Sequence, residues 1–251
     1  MAQGTGGAVD AGMNEAIGLE SLAMERDGET VLDSVSMTVA PATWFGLIGA
    51  NGSGKTTLLR GIAGRLPIAR GICRLHGADL SRSREERARL TGFMPPIETL
   101  PERLSATDLF EILCGDHVTA SGNIGDLAAA LDLDALRHRP IGQCSAGMRQ
   151  RIAIALAFAG GQPIVVLDEP FNWLDPVAAY DVRAALREKV RTGLTLVTAL
   201  HDLTTLTAAC DAAALLRAGR VQERYSATDL RDAARSPLEF ERRMIAGLRS
   251  R

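Results

Sequence analysis

Lysine is nearly missing from this chain of 251 residues: only Lys55 and Lys189 occur, and every other fixed cation is arginine. Aromatic residues are scarce at 4% and none precedes Trp44, so the core has to be built from Ala, Leu, Val and Ile. No stretch approaches the ~20 apolar residues of a membrane-spanning helix; the longest candidate is Ile152 to Ala159. The first 16 residues, MAQGTGGAVDAGMNEA, have neither a basic start nor an apolar segment. They read as a frayed tail and not as a secretory leader. The four cysteines, Cys73, Cys114, Cys144 and Cys210, form no CxxC pair. Free thiols in a reducing, cytoplasmic compartment are expected, and no zinc site. One-sided charge is absent too: 28 basic against 30 acidic residues leave a net charge of −2. That balance gives no general attraction to nucleic acid, and none is expected as a partner.

The remaining composition, 46% hydrophobic and 23% charged, is that of a globular domain. Ile17 to Met24 and Val31 to Val39 read as strands, the second through the alternation of Val35, Met37 and Val39 with Ser36 and Thr38. Arg26-Asp27-Gly28 supplies the turn between them. Trp44 to Ile48 reads as a buried strand, Gly49 to Gly54 as a glycine-rich loop, and Lys55 to Ala63 as a helix. Residues 71 to 94 read as a strand, the charged helix SRSREERARL and another strand. Strand signals then vanish over residues 98 to 160, where Ala106 to Leu113, Asp126 to Leu131 and Gly147 to Ala159 read as helices. Pro163 to Leu167 is an apolar strand, Pro176 to Val190 a helix with Pro at its first position, and Leu194 to Ala199 a strand. A helix follows from about Asp202. A hairpin spans Ala212 to Arg224 around Ala218-Gly219-Arg220. The last 25 residues or so read as helical. This order predicts an α/β fold with a mainly parallel core sheet and right-handed crossovers. An antiparallel β subdomain and a helical insert are appended to it.

Gly49-Ala50-Asn51-Gly52-Ser53-Gly54-Lys55-Thr56 fits GxxxxGK[ST] without a mismatch, after an apolar strand and before a helix. Phosphate oxygens need many donors at short range where side chains would crowd them. Glycines let the backbone N–H groups from Asn51 to Thr56 turn inward, and the following helix adds its positive end. In this motif Lys55 contacts the β- and γ-phosphates and the Thr56 hydroxyl ligates Mg²⁺. The strand Ile164 to Leu167 ends in Asp168-Glu169. Behind a phosphate loop, Asp168 is suited to hold Mg²⁺ and Glu169 to polarise an attacking water. A solvated acidic turn is the plainer reading of the pair in isolation.

These two motifs describe a P-loop NTPase, and three more narrow the class. Cys144-Ser145-Ala146-Gly147-Met148-Arg149-Gln150-Arg151 resembles the signature motif of ATP-binding-cassette (ABC) ATPases. Asn172-Trp173-Leu174-Asp175 resembles that family's D-loop, and His201, after a strand, its switch histidine. Five motifs in order cover roughly residues 17 to 224. The resemblance implies an ATPase of the transporter-subunit type, with residues 17–224 as the ABC domain, a helical subdomain at about 98–160 and a helical tail at 225–251. It also implies a head-to-tail pair of domains, identical or paralogous, with two ATPs between them. Gly49, Asn51, Gly52, Ser53, Gly54, Lys55, Thr56 and Thr57 of one domain would bind a nucleotide that Ser145 and Gly147 of the other complete. Asp175 would communicate between the sites, and His201 would bond the γ-phosphate. On its own, CSAGMRQR reads better as a helix capped by Ser145 with solvated arginines, a lone His is more often structural or solvated, and Asp175 can also be a helix cap.

The sequence departs from the family in three places. Pro96 stands where a glutamine usually reaches Mg²⁺; Glu98 is the candidate replacement, with a solvated Glu as the alternative. Arg26 stands where an aromatic residue usually stacks on adenine. Its guanidinium can lie on the base, or it is an ordinary turn arginine. The signature reads CSAGM, with a methyl at Ala146. A single ATPase domain of this kind resembles the cytoplasmic subunit of a transporter, peripheral on the inner membrane and docked to a membrane-spanning subunit through residues 98 to 140. The GMRQR form resembles exporter-type ATPases. The alternative is a soluble ABC ATPase that scaffolds an assembly process such as iron–sulfur cluster biogenesis.

Overall fold

The computed structural model describes residues 15–249, with side chains to residue 244. The frayed tail expected over residues 1–16 lies outside the described residues up to residue 14. Ala16, at its end, is buried, and its N–H donates to the Val39 carbonyl at 2.8 Å.

Two sheets carry the fold. In the smaller, β1 (Ile17–Arg26) lies antiparallel between β2 (Glu29–Val39) and β4 (Arg70–Leu75), and β5 (Ala78–Asp79) pairs with β4. Val35, Met37 and Val39 of β2 are buried, as a period of two requires when one face packs on a core. Asp27 and Gly28 both take left-handed backbone, with φ of 53° and 83°. That geometry suits the twist of a tight hairpin, and it extends β1 two residues past Met24.

The larger sheet has the order β10-β9-β3-β8-β7-β6. Its strands are β3 (Trp44–Ile48), β6 (Thr91–Phe93), β7 (Ile164–Asp168), β8 (Thr195–Leu200), β9 (Ala212–Arg217) and β10 (Arg220–Tyr225). All neighbouring pairs are parallel except the β9–β10 hairpin. Every residue of β3 and β8 is buried, because a parallel sheet is covered on both faces. The central order matters for function. The loop after β3, the residue after β8 and the end of β7 emerge side by side at one edge, where open α/β sheets form their binding crevice.

Helix α1 (Lys55–Ile62) follows β3, and α2 (Arg84–Leu90) precedes β6. Five helices lie between β6 and β7: α3 (Ala106–Cys114), α4 (His117–Ile124), α5 (Leu127–Ala130), α6 (Leu133–Leu136) and α7 (Ala146–Ala159). They share a core through Phe110, Ile124, Leu131 and Phe158. Helix α4 has no counterpart in the sequence reading. Val118, Thr119, Gly122 and Asn123 are poor helix formers; the Asp116 cap and the burial of Ala120 and Ile124, four residues apart, hold it. Helices α8 (Pro176–Arg191) and α9 (Leu203–Ala209) flank β8 in sequence. Helices α10 (Ala227–Arg235) and α11 (Pro237–Arg249) close the chain. Phe240 and Met244 of α11 pack with Ile48 and Leu200, the last residues of β3 and β8.

The segment SRSREERARL, read as a charged helix, forms α2, and one of its charges lies in the interior. Arg87 is fully buried. Its guanidinium donates to the carbonyls of Gly61 (2.9 Å), Leu80 (2.5 Å), Ser81 (2.9 Å) and Leu66 (3.1 Å). Burial lowers its pKa from the usual arginine value. The cation fastens the carboxyl end of α1, and with it the phosphate loop's helix, to α2. Arg87→Met is expected to lower stability by about 3 kcal/mol, because it strands buried carbonyls. A loss of under about 1 kcal/mol in urea denaturation would contradict this role.

Candidate active site

The loop between β3 and α1 is shaped for close backbone approach. A Cβ on Gly49 would sit 2.2 Å from the Leu216 carbonyl oxygen, and Gly54 has φ 104°. Neither position accepts a side chain without a shift. Lys55 is only 5% exposed. Its ammonium donates to the carbonyls of Gly49 (2.7 Å) and Ala50 (3.2 Å). Burial lowers its pKa, an effect opposed by Glu169 and Asp168. Ser53 Oγ is buried with no hydrogen-bond partner. Thr57 is buried, while Asn51 and Gly52 are exposed.

Asp168 closes β7. The Thr56 hydroxyl donates to its Oδ2 at 2.6 Å, and its Oδ1 is buried without a partner. Burial raises the Asp168 pKa; the Thr56 bond opposes this, and the Glu169 charge adds to it. A hydroxyl beside a carboxylate with an orphaned, desolvated oxygen is a donor set that fits Mg²⁺, a hard cation that takes one or two protein oxygens and its substrate's phosphates.

Glu169 adopts φ 53°, a conformation costing on the order of 1–2 kcal/mol in a non-glycine residue. Three backbone bonds hold it there: its N–H donates to Ala199 O (3.1 Å), and its carbonyl accepts from Asn172 N (3.2 Å) and Gln150 Nε2 (3.1 Å). Its carboxylate is held at both oxygens, by His201 Nε2 on Oε1 and by Asn172 Nδ2 on Oε2 at 2.7 Å. Strain of this kind, held from several sides, is what a residue positioned for chemistry shows.

Thr56, Asp168 and Glu169 thus line one cleft, joined by Arg60, Glu98 and Asn172. Gly49, Asn51 and His201 line the adjacent cavity beside α11. Pro96 sits on the cleft wall with Glu98. Ser145 and Gly147 line neither space. Ser145 is exposed and caps α7, accepting from Met148 N at 3.2 Å. Asp175 caps α8, accepting from Val177 N (3.0 Å) and Ala178 N (2.9 Å), and pairs with Arg151 at 3.5 Å. Those backbone bonds, chiefly the one from Ala178, lower its pKa. Arg26 ends β1, pairs with Asp27 at 3.5 Å and also lines neither space.

Gln150 is a site residue that sequence reasoning passes over. It is buried in α7 and its amide donates to both Glu169 O and Pro170 O (3.0 Å). It thereby ties the signature helix to the acidic turn. A lone Gln leading into the apolar run IAIALAFA is the only trace it leaves in the sequence.

A glycine loop at the end of one parallel strand, an acidic pair two strands away and a histidine just after the strand between them define a P-loop nucleotide-binding domain. The ABC transporter family matches residues 32–172, and the chain belongs to that family. It is 34% identical over 203 residues to the hemin import ATP-binding protein HmuV of Streptomyces coelicolor, covering 77% of this chain and 72% of that protein. It is 32% identical over 235 residues to the sulfate/thiosulfate import ATP-binding protein CysA of Xylella fastidiosa, covering 89% of this chain and 67% of that one. Among solved structures, the ATP-binding subunit of an ABC transporter superposes with a TM-score of 0.76 at 25% identity, over 94% of this chain and 95% of that chain.

Proposed function

We propose that this chain is the ATP-hydrolysing subunit of a transporter whose membrane-spanning part is a separate polypeptide. The observation that carries the reading is the division of the site. Thr56, Asp168 and Glu169 share a cleft that Ser145, the exposed cap of α7, and Gly147 do not line. A head-to-tail pair of ATPase domains joins the two halves. The ATP triphosphate lies along the N–H groups of Asn51 to Thr56, and Lys55 exchanges its loop carbonyls for phosphate oxygens. Thr56 and Asp168 would hold Mg²⁺, which would neutralise charge on the phosphates. Glu169 orients the attacking water and accepts its proton, and His201 fixes the geometry of both. The partner's Ser145 hydroxyl and the start of its α7 bind the γ-phosphate. ATP binds the closed pair more tightly than the open one, and that difference drives the membrane subunit.

A groove of about 570 Å³ beside this cleft fits a docking role. Arg60, Arg65, Phe93, Pro96, Leu109 and Ile112 are among the residues that line it, and Arg60, Phe93 and Pro96 also line the cleft. The membrane subunit is placed there, on the cytoplasmic face of the membrane. Import is favoured over the export that GMRQR suggests, since HmuV and CysA are both named for import. Those names also disfavour the scaffold reading. Purification of the chain from detergent-solubilised native membranes is expected to bring down a subunit with several apolar spans. Recovery with soluble assembly proteins alone would contradict the proposal.

Two departures from the family pattern acquire roles here. Glu98 lines the cleft with Asp168 and is proposed to supply the Mg²⁺ contact that Pro96 lacks. Glu98→Ala is then expected to raise the Mg²⁺ concentration needed for half-maximal turnover. An unchanged requirement overturns the role. Arg26 is proposed to stack on the adenine, and Arg26→Ala is expected to narrow the difference between ATP and GTP affinity. Equal losses for both nucleotides would show an ordinary charge contribution.

A further inference from the structure

Gln150 is a polar side chain only 3% exposed, on a helix that continues into an apolar run. An amide nitrogen carries two hydrogens, and Gln150 directs its Nε2 at two consecutive carbonyls of one turn, Glu169 O at 3.1 Å and Pro170 O at 3.0 Å. We propose that Gln150 is a positioning residue for hydrolysis. Through its amide, the helix that offers Ser145 to the partner's nucleotide holds Glu169 of its own chain in reacting geometry. This rests on the site shared between two chains proposed above.

Glu169 does not keep its left-handed backbone, φ 53°, unaided. Its three backbone bonds come from three directions. The N–H donates to Ala199 in β8, and the carbonyl accepts from Asn172 in its own turn and from Gln150 in α7. The first two tie the turn to the sheet and to itself; the third ties it to α7. Pro170 has no N–H of its own and is buried, and Gln150 satisfies its carbonyl as well. Losing the amide therefore strands a buried carbonyl and releases one of three restraints on the base.

The place of Gln150 on α7 gives this bond its consequence. Ser145 caps the helix, and Gln150 follows five positions, or about 7.5 Å, further along it. Both belong to one hydrogen-bonded helix of 14 residues and its cap, so a displacement of one end reaches the other. Gln150 also lines the cleft of Thr56, Asp168 and Glu169. The Glu169 carboxylate itself is bonded to His201 and Asn172. Gln150 thus acts on the backbone of the base and leaves its reacting oxygens alone. How Ser145 is seated on the partner's phosphate is thereby felt at Glu169.

Gln150→Met keeps the length of the side chain and removes both donors. Its kcat is expected to fall about 10- to 10²-fold, the cost of misplacing a reacting group, with the KM for ATP within about twofold of the parent. Gln150→His keeps one N–H at a similar reach. It is expected to lie between the two, and it carries the test if the Met chain does not fold. A His variant as slow as the Met variant would show a packing role and overturn the proposal. Mixing then decides which group Gln150 serves. A Lys55→Ala chain and a Ser145→Asp chain together form one working site, made of the phosphate loop and Glu169 of the second and Ser145 of the first. Gln150→Met on the Ser145→Asp chain should lower the recovered turnover by the same factor. On the Lys55→Ala chain, whose own Glu169 is idle, the recovered turnover should persist. Loss in that second arrangement would mean that Gln150 serves Ser145, and loss in neither that it serves no step; both overturn the proposal. Mixtures that recover nothing even with Gln150 intact refute the shared site, and this link with it.

Discussion

Glu169→Gln is expected to reduce ATP turnover by about 10²- to 10⁴-fold, the range for removing a general base, with ATP affinity retained. The structure explains why the two effects separate. The hydrogen bonds of Glu169 go to other segments than the loop that grips the triphosphate: its carboxylate is bonded to His201 and Asn172 and its backbone to Ala199, Asn172 and Gln150. Gln keeps the shape and one acceptor oxygen, so the turn stays formed while the proton acceptor is lost. The unhydrolysed ATP then holds the closed pair, and dimers should accumulate with Mg-ATP on size-exclusion chromatography. Turnover within threefold of the parent protein would place the base elsewhere.

Ser145→Asp is expected to be nearly as damaging for a different reason. Ser145 caps α7 through its bond from Met148 N, and Asp caps a helix as well as Ser does. The fold should survive, and Thr56, Lys55 and Asp168 of the same chain should bind ATP as before. The new carboxylate, however, meets the partner's γ-phosphate in the pair. Like charges at contact distance in a closed site cost several kcal/mol, enough for a loss of about 10²-fold or more in turnover. Loss of monomer ATP binding in this variant would mean that Ser145 acts within its own domain.

The architecture around the nucleotide was legible because its determinants are local. A glycine loop between an apolar strand and a helix needs only a dozen residues to declare itself, and Asp168-Glu169 ends a strand with no competing pattern. Other features depend on contacts between distant segments. Arg87 looks like any residue of a charged helix, and only the packing of α2 on α1 makes it a buried clamp. The helix at His117–Ile124 defies its own propensities because Ala120 and Ile124 are buried. Gln150 gains its role from a turn 19 residues later in the chain. The proline at residue 96 was visible in the sequence, but the placement of Glu98 in the cleft with Thr56 and Asp168 was not.

The proposed sharing of one reaction centre between two chains is tested most directly by mixing two inactive proteins. Lys55→Ala disables a chain's own phosphate loop, and Ser145→Asp disables what it offers its partner. Each alone should be inactive. In a mixed pair one site carries both lesions and the other neither. Random pairing at equal amounts makes half the dimers mixed, so the mixture should recover about a quarter of the parent's turnover. A mixture as inactive as its two components, with both variants folded and able to pair, would contradict a site built from two chains.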